Sequence, residues 1–331
     1  MKTDSKKITI KLLLEKLVLI AGIIIFVNGY GSIFGKQNLL VGVVVVTATL
    51  MFMQINIGYD VNQSVFLIIG LFSYIGVATS ISHINPMLGL FINLISVFGV
   101  LYIVTEDIRS KAYLPFMLLY VFMEGNPIAS GDEIKRILSI LIGGVLVGTV
   151  LYLFHRKKNY NTKSILDMLK EIDVRSERFK FSLKMAIGIG LAVFIGKLIG
   201  AQKGMWISIA VMSLTQPEHE QTQERIKKRL IATIIGSITF IILFKILIPS
   251  QYTIIATLVL GYIYTFVNEY GLQMVFVTIN ALTTAVLLFN VQLSITMRIN
   301  FLIIGICIAY LISKMETIIC QIKEDNEVLE I

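Results

Sequence analysis

Apolar runs follow one another from one end of this chain to the other, each roughly 11 to 21 residues long. A helix rises about 1.5 Å per residue and the hydrocarbon core of a bilayer is about 30 Å thick, so the longer runs are long enough to cross it as helices. Of the 331 residues, 56% are hydrophobic and 15% charged. An ordinary soluble domain is nearer a quarter charged. The chain therefore reads as an integral membrane protein without a sizeable soluble domain.

Six runs cover about 17–34, 39–53, 65–81, 87–104, 113–123 and 134–154. Six more cover about 181–199, 205–215, 230–248, 252–267, 271–289 and 299–313. Between the sets lies a linker, 155–180, in which Ile165, Leu166, Leu169 and Ile172 fall on one helical face among charges. That pattern predicts a helix lying on the membrane surface. Residues 314–331 form a charged tail. His83 and Asn85 make a turn before Pro86, which suits the first position of a helix. Gly143, Gly144 and Gly148 give the sixth run a face that lets a neighbouring helix approach closely.

Charge sets the expected orientation. The N-terminus, the Asp60 loop, the loop from Glu106 to Lys111, the linker, the segment 225–229 and the tail hold most of the lysine and arginine. They alternate with nearly uncharged turns, so both termini are expected on the cytoplasmic side of the cell membrane. The basic start runs into apolar sequence without a small-residue cleavage site, and reads as a retained first span. The formal net charge of +8 is thereby a topology signal, not a sign of nucleic-acid binding. Cys307, Cys320 and three scattered histidines offer no disulfide framework and no metal site. No acidic metal cluster, nucleophile–base spacing or phosphate loop suggests an enzyme or a cofactor. The expected partners are the lipid bilayer and a small molecule. A homo-oligomer is compatible with the sequence, which does not fix the oligomeric state.

An internal repeat matches the two sets. Gly22 with Gly188, Leu40 with Trp206, Thr49 with Thr215 and Gly70 with Gly236 pair at an offset of 166. Arg136 with Arg298 and Gly143 with Gly305 pair at 162. Six spans per half is an even number, so both halves enter from the same side and the repeats are parallel. The expected fold class is all-α integral membrane, with about twelve transmembrane helices in two parallel six-helix repeats. Residues 1–154 are the first repeat and 181–313 the second. Each has a short or broken second helix. In the second, the run 205–215 spans only about 17 Å at 1.5 Å per residue and stops at Gln216-Pro217. Polar backbone at membrane depth survives where it is buried in protein or lines a cavity.

The segment 178–248 resembles the fusaric acid resistance family, which includes the aromatic acid exporters. The residues that carry the likeness are Gly204 and Trp206 opening a short helix, Thr215-Gln216-Pro217 closing it, Thr222, Arg229, Thr233 and Gly236. The resemblance implies a membrane transporter with duplicated six-helix halves that exports aromatic carboxylic acids under proton coupling. Plant aluminium-activated malate channels are distant relatives of the same build, so a passive organic-anion channel is the alternative. Members carry large cytosolic domains after each half, where this chain has the short linker and tail. Leu40 and Gln63 stand in the first half where the second has Trp206 and Arg229.

The candidate residues follow. Arg229 reads either as a cytoplasmic anchor reaching lipid phosphate or as a counter-charge for an anion beside the broken segment. Arg136 and Arg298 open helices on the expected outer side, where the helix dipole disfavours a cation. Asp132 and Glu133 offer Arg136 a local ion pair, and no acid stands near Arg298 in sequence. Trp206, Thr215, Gln216 and Pro217 would shape the substrate site. Glu124 and Glu269, at the ends of short apolar runs, and His219, between two glutamates, are the candidates for carrying a coupling proton. Asn93, Asn280 and Thr283 inside spans read as interhelical glue, and Tyr262, Tyr264 and Tyr270 as interface residues.

Overall fold

The computed structural model is all-helical among the residues it describes, which are 10–128, 131–158, 164–170, 172–286 and 288–329. The α-helices in chain order are α1 (Ile10–Phe34), α2 (Leu39–Phe52), α3 (Val61–Ser82), α4 (Pro86–Val104), α5 (Leu114–Gly125), α6 (Glu133–His155) and α7 (Ile165–Lys170). Then come α8 (Glu177–Leu198), α9 (Met205–Leu214), α10 (His219–Ile241), α11 (Thr253–Tyr264), α12 (Tyr270–Val286) and α13 (Val291–Leu329). Each of the twelve apolar runs falls on one helix.

Six of these segments are long and apolar enough to cross a membrane: Val61–Ser82, Pro86–Val104, Glu133–His155, Glu177–Leu198, His219–Leu247 and Val291–Ile318. Shorter apolar helices include Leu114–Gly125 and Met205–Leu214. Large apolar side chains such as Phe66, Phe91, Ile95 and Ile254 stand exposed on helix faces, as lipid-facing residues do. The chain is a multi-pass membrane protein.

Local sequence explains the helix starts. The Asp60 carboxylate accepts from the Asn62 and Gln63 N–H groups and caps α3. Asn85 caps α4 with Pro86 at the first position. Ser176 caps α8. In three places the structure corrects the sequence reading. Residues 225–229 are not a loop: α10 already begins at His219 and carries them. The Lys and Arg of that segment are good helix formers, and polarity alone does not make a loop. The linker's helix is shorter than the pattern suggests: α7 ends at Lys170, short of Ile172. And α13 continues well past residue 313, to Leu329. The basic start 1–9 and the side chains of Leu169 and Cys320 lie outside the described residues.

Two compact units can be distinguished. One comprises residues 30–226 and 300–331. Within it α4 packs on α8, α3 on α6, α2 on α6, and α9 on both α8 and α5. Small residues set these contacts: Gly143 lies against Val45 of α2, and Gly144 against Phe72 and the Ile69 backbone of α3. The other unit comprises residues 1–29 and 227–299. Its core is Phe240, Ile279 and Leu282, flanked by Phe244, Leu260 and Val275. The Tyr262 hydroxyl donates to the Leu13 carbonyl at 3.0 Å, so this tyrosine ties two helices together.

A Cβ on Gly144 would stand 3.0 Å from the Phe72 Cβ and 3.3 Å from the Ile69 Cα, where backbone must move. Gly144→Leu is expected to cost about 1–3 kcal/mol by overpacking. Gly99→Leu, at a glycine with open space around it, should leave the thermal midpoint in detergent unchanged. Equal midpoints for the two variants would show that the α3–α6 contact is not close-packed.

Candidate functional site

In the unit of residues 30–226 and 300–331, the turn after α3, the end of α5, the end of α8 and the start of α9 meet around a cavity of about 310 Å³. Its charged wall is Glu124, His83 and Lys197. The Glu124 carboxylate is buried and accepts from the Ser82 hydroxyl. Lys197 Nζ lies 2.9 Å from Glu124 Oε2 and donates to the Ser82 carbonyl at 3.2 Å. Glu124 Oε2 has no hydrogen-bond donor, so the lysine contact is charge pairing without a directed bond. His83 Nε2 stands 3.9 Å from the same oxygen. Burial holds the His83 pKa below its ordinary 6.5; Glu124 pulls it up, while Lys197 and Arg136 push it down. Of the three proton candidates, then, Glu124 is buried in a charged cluster. Glu269 is exposed, which removes the desolvation expected of it.

His219 is not in a wet loop. It opens α10, its Nδ1 is 2.7 Å from the Ser313 hydroxyl and its Nε2 2.7 Å from the Gln223 amide. Beside it runs the break between α9 and α10. Thr215 and Gln216 are buried there. Lys184 Nζ, itself buried, donates to the Gln216 carbonyl at 3.0 Å and the Pro217 carbonyl at 2.8 Å, and pairs with Glu316. The Gln216 N–H donates to the Thr222 hydroxyl at 3.2 Å. The polar break is thus buried in protein, as physics requires of it. Trp206 is buried near the start of α9.

Arg136 does not take its local acids. Asp132 pairs with Lys135 instead. Arg136 donates to Asn38 Oδ1 at 2.5 Å, to the Gln37 carbonyl at 3.1 Å, to the Asn126 carbonyl at 3.4 Å and to Met123 Sδ at 2.8 Å. It joins the ends of α2 and α5, a structural task. Asn93 accepts from the Tyr120 hydroxyl at 2.7 Å and is interhelical glue, as expected. Thr283 bonds back to the Ile279 carbonyl of its own helix.

In the unit of residues 1–29 and 227–299, Arg229 is 1% exposed, far from the anchor reading. It donates to Met274 Sδ and interacts with the hydroxyls of Tyr270 and Tyr264. Arg298 is buried close enough to feel the Arg229 charge. Among the described residues no carboxylate pairs with Arg229. Thr233 and Ser237 follow it at one-turn spacing on α10. Their hydroxyls, Arg229 Nε and Asn280 Oδ1 are buried without hydrogen-bond partners. Tyr264 and Tyr270 belong to this cluster and are not simple interface residues.

Sequence reading passed over Lys184, Lys197 and His83. A lysine one turn inside an apolar run was the available signal for the first two, and each was absorbed into the general count of basic residues.

Residues 191–312 match the family described as fusaric acid resistance protein-like. The match supports the resemblance read from the motif and carries it into α13. No curated protein and no solved structure matches the chain.

Two outcomes follow from the Glu124 cluster. Removing the lysine alone leaves a buried carboxylate uncompensated, so Lys197→Ala should lose about 3–5 kcal/mol, and the double variant with Glu124→Gln should recover most of it. Additive losses in denaturant titrations would show that the two do not interact. For His83 the unfolded state takes up a proton first, because its folded pKa is depressed below 6.5. Its stabilisation is full above 6.5 and is lost as the pH falls from there to the folded value. His83→Gln should therefore flatten the fall in thermal midpoint between about pH 7.5 and 5.5; an unchanged slope would show that His83 does not titrate in this way.

Proposed function

We propose that this protein is a secondary transporter that exports organic carboxylic acids, aromatic ones among them, with proton linkage. The observation that carries the reading is the company Arg229 keeps. Other cations buried or half-buried within the helices, namely Arg136, Lys184, Lys197 and Arg178, donate to backbone carbonyls at helix ends. Arg229 faces a sulfur, two tyrosines and a row of unpartnered hydroxyls. A buried guanidinium needs a counter-charge. A carboxylate on a small, partly aromatic molecule supplies one, and its ring suits the tyrosines. Arg298 adds positive potential from the same unit.

The family match supports a transporter, and the absence of a metal-ligating cluster among the described residues gives no reason to prefer an enzyme. Glu124, buried and ion-paired, is the group suited to accept the linked proton. The twelve-crossing plan in two parallel halves, with both termini on the cytoplasmic side of the cell membrane, belongs to this reading. It rests on the loop charges and the 166-residue offset.

The test is flux in proteoliposomes with an internal pH dye, across aromatic and aliphatic carboxylates. Wild-type protein should move acid together with protons, and Arg229→Ala should reduce that flux at least tenfold, the effect of losing about 1.4 kcal/mol or more of anion binding. Arg298→Ala should weaken it less. Anion current without proton movement would identify a passive channel instead, and silence across the panel would refute the transport reading.

A further inference from the structure

The cavity beside Glu124 has the parts of a ligand site. About 310 Å³ lies at the lower end of the range for small-molecule pockets, about 300–1,000 Å³. One wall is apolar, from Val121, Val193 and Met205. The other holds Lys197, His83 and Glu124. The Ser208 hydroxyl, 1% exposed as a residue, lines the cavity without a hydrogen-bond partner, and so does His83 Nε2. The start of α9 borders the same space and adds the partial positive charge of a helix N-terminus. Apolar space, donors and a cation suit a small organic carboxylate. The cation, however, is already engaged by Glu124.

We propose that this cavity is a carboxylate-binding site in which Glu124 is a built-in competitor: protonation of Glu124 frees Lys197 to take the carboxylate of the ligand. Charge accounts for the coupling. With Glu124 ionised and His83 neutral, the cluster carries no net charge, and an added anion would sit beside a buried carboxylate. With Glu124 protonated, the cluster is short of one negative charge, and a ligand carboxylate restores it. No bond is made beyond the transfer of one proton from solvent to a Glu124 oxygen. The neighbours of Glu124 agree with this assignment. Ser82 and His83 face it from the end of α3, Lys197 from α8, and Tyr120 from one turn earlier on α5. Arg136 of α6 acts on His83. The packed helices α2 and α9 have no titratable residue, and the titratable residue of α4, Tyr102, lies at its far end against Arg178. Glu124 is the one carboxylate among these groups.

The sign has a consequence for transport, which rests on the reading given under Proposed function. At this site proton and anion enter and leave together, as the equivalent of the uncharged acid. Outward movement through such a site is driven by the concentration of the acid itself, and an inward proton gradient opposes it. The binding step stands independently of that reading and of Arg229.

Binding is measured by titration calorimetry of the full chain in detergent with benzoate as probe, between about pH 5.5 and 8. One proton bound per anion makes wild-type affinity rise by up to about tenfold for each unit by which the pH falls. At the cavity, Glu124→Gln should bind benzoate at pH 8 as tightly as wild type does at low pH, with a flat profile, and Lys197→Gln should lose this binding, leaving only what Arg229 holds. Benzoate held at Arg229 would be indifferent to Glu124→Gln, so the two sites separate. Emission of the single tryptophan, Trp206, reports whether each variant keeps its fold. Ser208→Leu, which fills the cavity without touching the charges, should abolish the pH-dependent binding if Glu124→Gln does not fold. A pH slope that survives in Glu124→Gln, or benzoate binding unaffected by Ser208→Leu, would overturn the proposal. Flux without this binding behaviour would sink the inference and leave the transporter standing.

Discussion

Every short helix in a membrane protein leaves carbonyls that its own turns cannot satisfy, and lipid cannot satisfy them either. The chain meets this constraint with long cationic side chains from neighbouring helices. Lys184 of α8 reaches the carbonyls of Gln216 and Pro217 beyond α9. Arg178, in the first turn of α8, reaches those of Tyr102 and Ile103 at the end of α4. Lys197 reaches Ser82 at the end of α3, and Arg136 reaches Gln37 and Asn126. In each case the donor meets the end of a helix or the turn beyond it, and at the ends of α3 and α4 the negative end of the helix dipole favours it further. The arrangement lets helices of 10 or 12 residues, such as α9 and α5, persist among longer ones.

The same rule sets these structural cations apart from Arg229. Had Arg229 been one more clamp, it would point at a carbonyl. It points at Met274 and at tyrosines instead. Burying a guanidinium without a backbone acceptor or a carboxylate is costly, and the unpartnered Thr233 and Ser237 hydroxyls on the same helix face add to that cost. A bound anion, as proposed above, would offset that cost.

Much of the fold was legible because apolar length is a local property. Twelve runs gave twelve helices, Pro86 and Asn85 marked a start, and Gly143 and Gly144 marked a close contact. The motif around Trp206, Gln216 and Arg229 marked the end of α9, but left Arg229 open between an anchor and a counter-charge. What escaped is tertiary. Lys184 and Lys197 look like ordinary basic residues until α8 is placed against α9 and the end of α3. His83 sits in a turn that reads as solvent until α5 brings Glu124 to it. Segment 225–229 was misjudged because its charges suggested a loop, although its lysines and arginines favour helix. Arg136 was assigned to its nearest acids in sequence, whereas α2 and α5 offer it better acceptors in space.

The Lys197–Glu124 pair shows why burial of charge is informative here. A buried ion pair seldom outperforms apolar residues of the same volume, since both ions lose water and recover only part of that loss in each other. Lys184 and Glu316 have a structural reason to be charged, because the lysine must also hold two carbonyls. Lys197 has a weaker one, a single bond to the Ser82 carbonyl, and Glu124 has none that a glutamine would not meet through Ser82. Ionisable groups beside a cavity, where a neutral residue would hold the fold as well, support the change of charge proposed there. That inference needs no knowledge of the substrate, because it follows from the cost of the pair and from its position on a cavity wall.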